Sequence, residues 1–155
     1  MAEIPGTVFE DRSLDPGVPF YYSVYSRRWG VLSREGCHIG PVVLLAEVDG
    51  AIVGTAGIER VGSSAKVKHR AEFGISVDRA FWGLGIGRAL TDACIDCAKA
   101  AGYAQLELSV VADNKSALAL YKSVGFTEYG RNPRGFRTRR GDWQELVLMR
   151  LELKR

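Results

Sequence analysis

FWGLGIGRAL, residues Phe81 to Leu90, places three glycines at alternate positions between two aromatic side chains and an amphipathic run. Ahead of it, AEFGISV (Ala71 to Val77) alternates Phe73, Ile75 and Val77 on one face with Glu72, Gly74 and Ser76 on the other, the pattern of a half-buried strand. Behind it, Ile86, Leu90, Ala93, Cys94, Cys97 and Ala101 recur at helical spacing, and Gly102 supplies a stop. A strand ending at Val77, a glycine turn and a helix present unpaired backbone N–H groups at the positive end of a helix dipole. Phosphate binds well there, and glycine at 83, 85 and 87 leaves the amides uncovered and permits unusual torsions.

Spacing sets aside two other phosphate folds. The Walker pattern GxxxxGK[ST] is absent, and GxGxxG would need glycine at position 88 or 90, where Arg88 and Leu90 stand. A dinucleotide fold would also open on a parallel βαβ unit. Here VVLLAEV (Val42 to Val48), the turn dipeptide Asp49-Gly50 and AIVGTAGIE (Ala51 to Glu59) read instead as a β-hairpin.

Beyond the helix, QLELSVV (Gln105 to Val111) alternates as a fourth strand. Asp113 or Asn114 can cap a short helix with Ala117, Leu120, Tyr121 and Val124 on one stripe, and Gly125-Phe126 closes it. Further strands begin near Phe126 and at WQELVLMRLEL. Prolines 5, 16, 19 and 41 interrupt the first 41 residues, where YYSVYSRRW fits helix or strand. The expected architecture is a single α/β (α+β) domain over residues 1–155, a mixed central sheet with helices on both faces.

With 155 residues and 46% hydrophobic content, the chain can bury one core. No run approaches the roughly 18 apolar residues of a membrane span, and the acidic start MAEIPGTVFEDR is unlike a signal peptide, so a cytoplasmic location away from membranes is expected. Cys37, Cys94 and Cys97 are odd in number and lack zinc-ribbon spacing, which predicts reduced thiols and no metal. Cys94 and Cys97 fall on the buried helical stripe, a poor place for a reactive pair. A formal charge of +3 is too small to argue for nucleic acid. Five arginines gather in RNPRGFRTRR (Arg131, Arg134, Arg137, Arg139, Arg140), either a solvated hairpin tip or a contact for an anionic ligand.

Asn114 and Tyr121 are seven residues apart, hence on one helix face and about 10 Å from each other along the axis. With AEFGISV, FWGLGIGRAL and VxxxNxxAxxLYxxxGF (Val110 to Phe126) in this order and spacing, the chain resembles the GNAT superfamily of acetyl-CoA-dependent N-acyltransferases from about Val42 to Leu153. The resemblance implies that backbone amides of the turn around Trp82, Gly83, Leu84, Gly85, Ile86, Gly87 and Arg88 hold the diphosphate of acetyl-CoA. It also implies that Ile75, Ser76, Val77 and Asn114 meet the pantetheine arm, and that Tyr121 sits beside the thioester sulfur. Trp82 stands where the superfamily has glutamine or arginine, and residues 1–41, which would carry acceptor-side elements, match poorly. A homodimer is expected only by the same resemblance.

Acyl transfer to an amine needs a neutral nucleophile, a stabilised oxyanion and a proton for the thiolate. An alkyl ammonium with a pKa near 10 carries a penalty of roughly 4 kcal/mol at pH 7, an α-amino group near 8 only about 1.4. Glu72, on the strand that leads to the thioester, is the candidate base, directly or through water, with His69 as the alternative. A backbone N–H near Ile75 to Val77 meets the oxyanion, and Tyr121 supplies the proton. In the resembled fold a hairpin near RNPRGFRTRR borders the acceptor site, where positive charge favours a carboxylate or phosphate over a polyamine. The expected acceptor is therefore a small-molecule amine, a free amino acid or close analogue. The alternatives are a protein N-terminus, a polyamine or, in another class, a CoA-binding regulatory module without turnover.

Overall fold

The computed structural model describes residues 42–153 and, ahead of them, the backbone of two strand segments. These are β1 (Thr7–Val8) and β2 (Phe20–Tyr25), so the YYSVY half of YYSVYSRRW is strand and its remaining residues lie outside those described. The expected hairpin follows as β3 (Val42–Val48) and β4 (Ala51–Arg60). Its turn residues Asp49 and Gly50 have φ of 51° and 82°, both left-handed as a type I′ turn requires. Then come β5 (Arg70–Val77), α1 (Ile86–Ala100), β6 (Gln105–Val111), α2 (Lys115–Ser123), β7 (Thr127–Arg137) and β8 (Trp143–Glu152).

Both helices end on the same device. Gly102 and Tyr103 donate their N–H groups to Lys99 O and Ala98 O at 3.0 and 3.1 Å, and Gly125 and Phe126 donate to Lys122 O and Tyr121 O at 3.1 and 2.9 Å. The left-handed glycine turns the chain, and the following aromatic, buried in each case, folds back onto the core.

The strands lie in the order β1-β2-β3-β4-β5-β6-β8-β7 in one mixed sheet. Only β2–β3 and β5–β6 are parallel pairs. Register puts Ile58 opposite Phe73, Ala56 opposite Ile75 and Gly54 opposite Val77, so these six share a face. A side chain at Gly54 would touch Leu90 of α1, and Phe73 touches Tyr121 of α2, so both helices pack on this face. Leu44, Ile58, Leu90, Leu106, Val147 and Met149 are essentially withdrawn from water between helices and sheet, each contributing roughly 1.5–3 kcal/mol. Helices on the second face would have to come from outside the described residues.

The β5–β6 ladder has three rungs, Arg70–Gln105, Ala71–Leu106 and Glu72–Glu107. Beyond Glu72 the two parallel strands part, although β5 runs on to Val77 and β6 to Val111. The facing backbone groups of both strands are thus left to a gap that opens toward their C-terminal ends.

RNPRGFRTRR differs from a simple hairpin tip. Arg131, Arg134 and Arg137 lie in β7, and only Arg139 and Arg140 lie in the turn. Pro133 and Gly135 read as loop residues, but β7 is the outermost strand, where proline removes no needed donor, and the register slips between Asn132 and Phe136 to take them in. Cys94 and Cys97 are buried thiols of α1, whereas Cys37 lies outside the described residues.

Candidate active site

A cleft of about 560 Å³ opens where β5 and β6 part. Ile75, Ser76 and Val77 line it from β5, Phe81, Trp82, Gly83 and Gly85 from the turn, Ile86, Gly87 and Arg88 from α1, and Asn114, Ser116, Ala117, Leu120 and Tyr121 from α2 and its cap. The structure thus brings the strand end, glycine turn and second helix of the sequence reading to one cavity. Leu84 is not among the lining residues and is exposed. Phe81, Ser116, Ala117 and Leu120 line it without having been singled out. Ala117 and Leu120 lay on the apolar stripe of α2, where cleft wall and core have the same pattern.

The two helices begin differently. Asn114 Oδ1 accepts from Ala117 N–H at 3.2 Å and closes the start of α2. At α1 the cap position is Gly85, with φ of 84° and no side-chain bond. The first backbone bond of α1 is Ala89 N–H to Gly85 O at 3.0 Å, so the N–H groups of Ile86, Gly87 and Arg88 are left for an outside acceptor. Gly83 and Gly85 both have left-handed φ, and nothing lies within 4 Å of a Cβ built on either. A side chain there would enter the open space before the amides. Gly87 has no such φ, and its added Cβ would merely touch Leu120 at 3.7 Å. This uncapped N-terminus of a 15-residue helix fits a diphosphate, and the gap between β5 and β6 fits an extended amide-bearing arm.

Trp82 fixes the turn. Its Nε1–H donates to Val77 O at 2.8 Å, and the Arg79 guanidinium lies 5.3 Å above its ring. Asp78 Oδ1 accepts from Ala80 N–H at 3.1 Å, which orders the approach. The Val77 carbonyl is occupied by the Trp82 bond. Since Asp78 N–H donates to Val53 O at 2.7 Å, the alternation of the ladder spends Ser76 on Thr55 of β4. The carbonyl and N–H of Ile75 and the N–H of Val77 are therefore the backbone groups left to face the gap.

Asn114 also accepts from Ser116 Oγ at 3.2 Å. Its Oδ1 is committed to the helix, and its amide NH₂ remains to donate into the cleft. Tyr121 is 6% exposed, packs against Phe73 and Phe126, and its phenolic oxygen makes no hydrogen bond to any described residue. Burial holds its phenol above the ordinary tyrosine value, so it stays protonated at neutral pH.

Glu72 is exposed on the second face of the sheet, at the last rung before β5 and β6 part, and does not line the cleft. In register it lies between Glu59 and Glu107. Glu107 is bound by Arg70, whose Nε and Nη2 donate to its two oxygens, the second at 2.8 Å, and Gln105 Nε2 donates at 2.6 Å. His69 precedes β5 at its far end, roughly 20 Å from Ser76 at strand spacing. Among the described residues no group of three or more His, Cys, Asp or Glu could hold a metal, and no helix is long and apolar enough to cross a membrane.

This arrangement matches known proteins. N-alpha-acetyltransferase RimI of Mycobacterium tuberculosis is 41% identical over 97 residues, which cover 63% of this chain and 59% of that protein. L-amino acid N-acyltransferase MnaT of Escherichia coli is 30% identical over 114 residues, 74% of this chain and 66% of that one. The chain thus spans less than two thirds of either relative. Among solved structures, yncA of Salmonella typhimurium with its cofactor acetyl-CoA superposes with a TM-score of 0.68 at 28% identity, over 72% of this chain and 64% of that one. The pattern of the Acetyltransferase (GNAT) family matches residues 8–126, more than half of the sequence, and with the shared fold it establishes that this chain belongs to the GNAT acetyltransferase family.

Proposed function

We propose that the chain transfers an acetyl group from acetyl-CoA to an α-amino group by direct attack in a ternary complex. The observation that carries this reading is the cleft itself: an uncapped helix start, a strand gap and a protonated tyrosine share one cavity. The amides of Ile86, Gly87 and Arg88 hold the diphosphate, and the open backbone of Ile75 and the Val77 N–H, with the Asn114 NH₂, align the pantetheine arm. The thioester then lies in the gap between β5 and β6.

The amine nitrogen attacks the thioester carbon, the C–S bond breaks, and the products are an N-acetylated amine and free thiol. Glu72, at the apex of the gap, takes the ammonium proton through water. A backbone N–H of the β5 end faces the oxyanion. Tyr121 gives its phenolic proton to the departing sulfur and regains one, by way of water, from the nitrogen as it becomes an amide. The first reading of the acceptor is a free amino acid or close analogue, in line with the name of MnaT. A polypeptide N-terminus is the second reading, favoured by the exposed basic hairpin. The names of RimI and MnaT support an α-amino or amino-acid acceptor over a polyamine.

Thiol release from acetyl-CoA, measured with and without amino acids, N-terminal peptides and spermidine, tests this. Amine-dependent release that is lost in Tyr121→Phe is expected. CoA binding without release for any amine identifies a regulatory module instead.

A further inference from the structure

The β7–β8 hairpin is not absorbed by the cleft. Val111, the last residue of β6, pairs with Leu146, which pairs with Asn132. Pro133–Arg137 and Trp143–Glu145 therefore project past the end of β6, the end where Asn114 and the cleft begin. On this projection Arg134 and Arg137 both lie against the Trp143 ring, their guanidinium carbons 5.3 and 5.2 Å from its centroid. Arg131 is paired with Glu128 and Glu145. Arg134, Arg137, Arg139 and Arg140 meet no carboxylate among the described residues.

β7 is also an 11-residue edge strand, paired only with β8. Nearly all its residues are exposed, and Tyr129, Phe136 and Trp143 make three of the six exposed large apolar side chains among the described residues. Arginines can blunt an edge against aggregation. That role does not require two like charges on one indole beside exposed aromatics. Such a pair is costly alone and is relieved by an anion.

We infer that this hairpin docks an acidic polypeptide segment belonging to the acceptor, its carboxylates resting on Arg134 and Arg137. The inference rests on the acetyl-transfer reading and names the substrate class for its second form. A free amino acid brings one carboxylate, too little for four guanidiniums that meet no carboxylate among the described residues and are spread along a projecting strand and turn. A polypeptide N-terminus trailing acidic residues fits both the charge and the length.

The test uses ten-residue peptides with one alanine-led start and a continuation rich in glutamate, serine or lysine. Thiol release gives KM and kcat at saturating acetyl-CoA, in low and high salt, and fluorescence anisotropy follows labelled glutamate peptide independently of turnover. The wild-type chain should show a KM for the glutamate peptide about tenfold below that for the serine peptide, at equal kcat, with the gap closing in high salt. R134S/R137S should bring that gap to within about twofold and weaken the anisotropy signal, with KM for the serine peptide and for acetyl-CoA unchanged. No preference for glutamate in the wild type overturns the inference without any variant having to fold. A preference that persists in R134S/R137S overturns it too, as does a variant that alters only self-association, which would make a second copy the occupant. Peptide docking without thiol release for any amine sinks the acetyl-transfer reading instead, so the two failures are distinct.

Discussion

Phe73 on β5 and Tyr121 on α2 meet edge to face, their ring centroids 6.1 Å apart and their planes at 84°. Phe126 closes on the same phenol ring at 5.9 Å and 62°. Two such contacts, each about 0.5–1.5 kcal/mol, hold the ring still while its oxygen finds no partner in the described chain. A residue kept for the core alone would gain nothing from the hydroxyl. Tyr121→Phe preserves both ring contacts, so the melting temperature should stay close to that of the wild type. Turnover should fall by about 10² to 10⁴ with acetyl-CoA affinity intact. Steady-state kinetics and calorimetry read the two quantities separately, and an unchanged kcat would remove Tyr121 from the mechanism.

The bond from Trp82 Nε1–H to Val77 O ties the glycine turn to the strand end and should be felt only by a ligand that reaches the turn. Trp82→Phe keeps a ring and removes the donor. An exposed neutral hydrogen bond of about 0.5–1.5 kcal/mol predicts a loss of CoA affinity of roughly two- to thirteenfold. Turnover of an acetylated pantetheine fragment, which lacks the diphosphate, should be unaffected. Equal losses for both donors would assign Trp82 to general stability.

Much of this site was legible in local pattern and some of it was not, for a physical reason. The alternation of Phe73, Ile75 and Val77, the capping side chain of Asn114 and the closing glycines 102 and 125 each act within a few residues, and each appears where the pattern put it. The early end of the β5–β6 ladder at Glu72 leaves no such mark, because parallel register is set by how α1 packs over the sheet. The same holds for the Arg70–Glu107 pair, 37 residues apart, and for Trp82 reaching back to Val77. RNPRGFR looked like a turn because proline and glycine are scored by their neighbours, whereas an outer strand tolerates both.

Gly85 is the residue at which conformation and charge act together. Its φ of 84° costs an L-residue roughly 1–2 kcal/mol, so Gly85→Ala should lower stability and weaken CoA binding modestly. Gly85→Glu adds a carboxylate in front of the uncapped amides, which it can occupy itself. CoA affinity should fall at least about tenfold beyond the alanine variant, and less so in high salt. Calorimetry with both variants checks the order, and equal affinities would place the diphosphate elsewhere.

Glu107 supplies the pH dependence of stability. The Arg70 guanidinium bonded to it holds its carboxyl below the ordinary range, against the opposing effect of burial. A folded-state pKa below the unfolded one means that the contribution is fully present above the unfolded value of about 4.3. It is lost as pH falls through the folded value, when the carboxyl takes up a proton and the ion pair with Arg70 ends. Glu107→Gln keeps the shape and removes the charge, so it should lower the melting temperature at pH 7 by roughly 2–4 °C. The gap between variant and wild type should narrow as the pH is brought from 5 toward 3, because the wild type then loses what the variant never had. Melting curves across that range decide the point. A gap that stays constant with pH would mean that Glu107 acts through packing on the second face of the sheet and not through its charge.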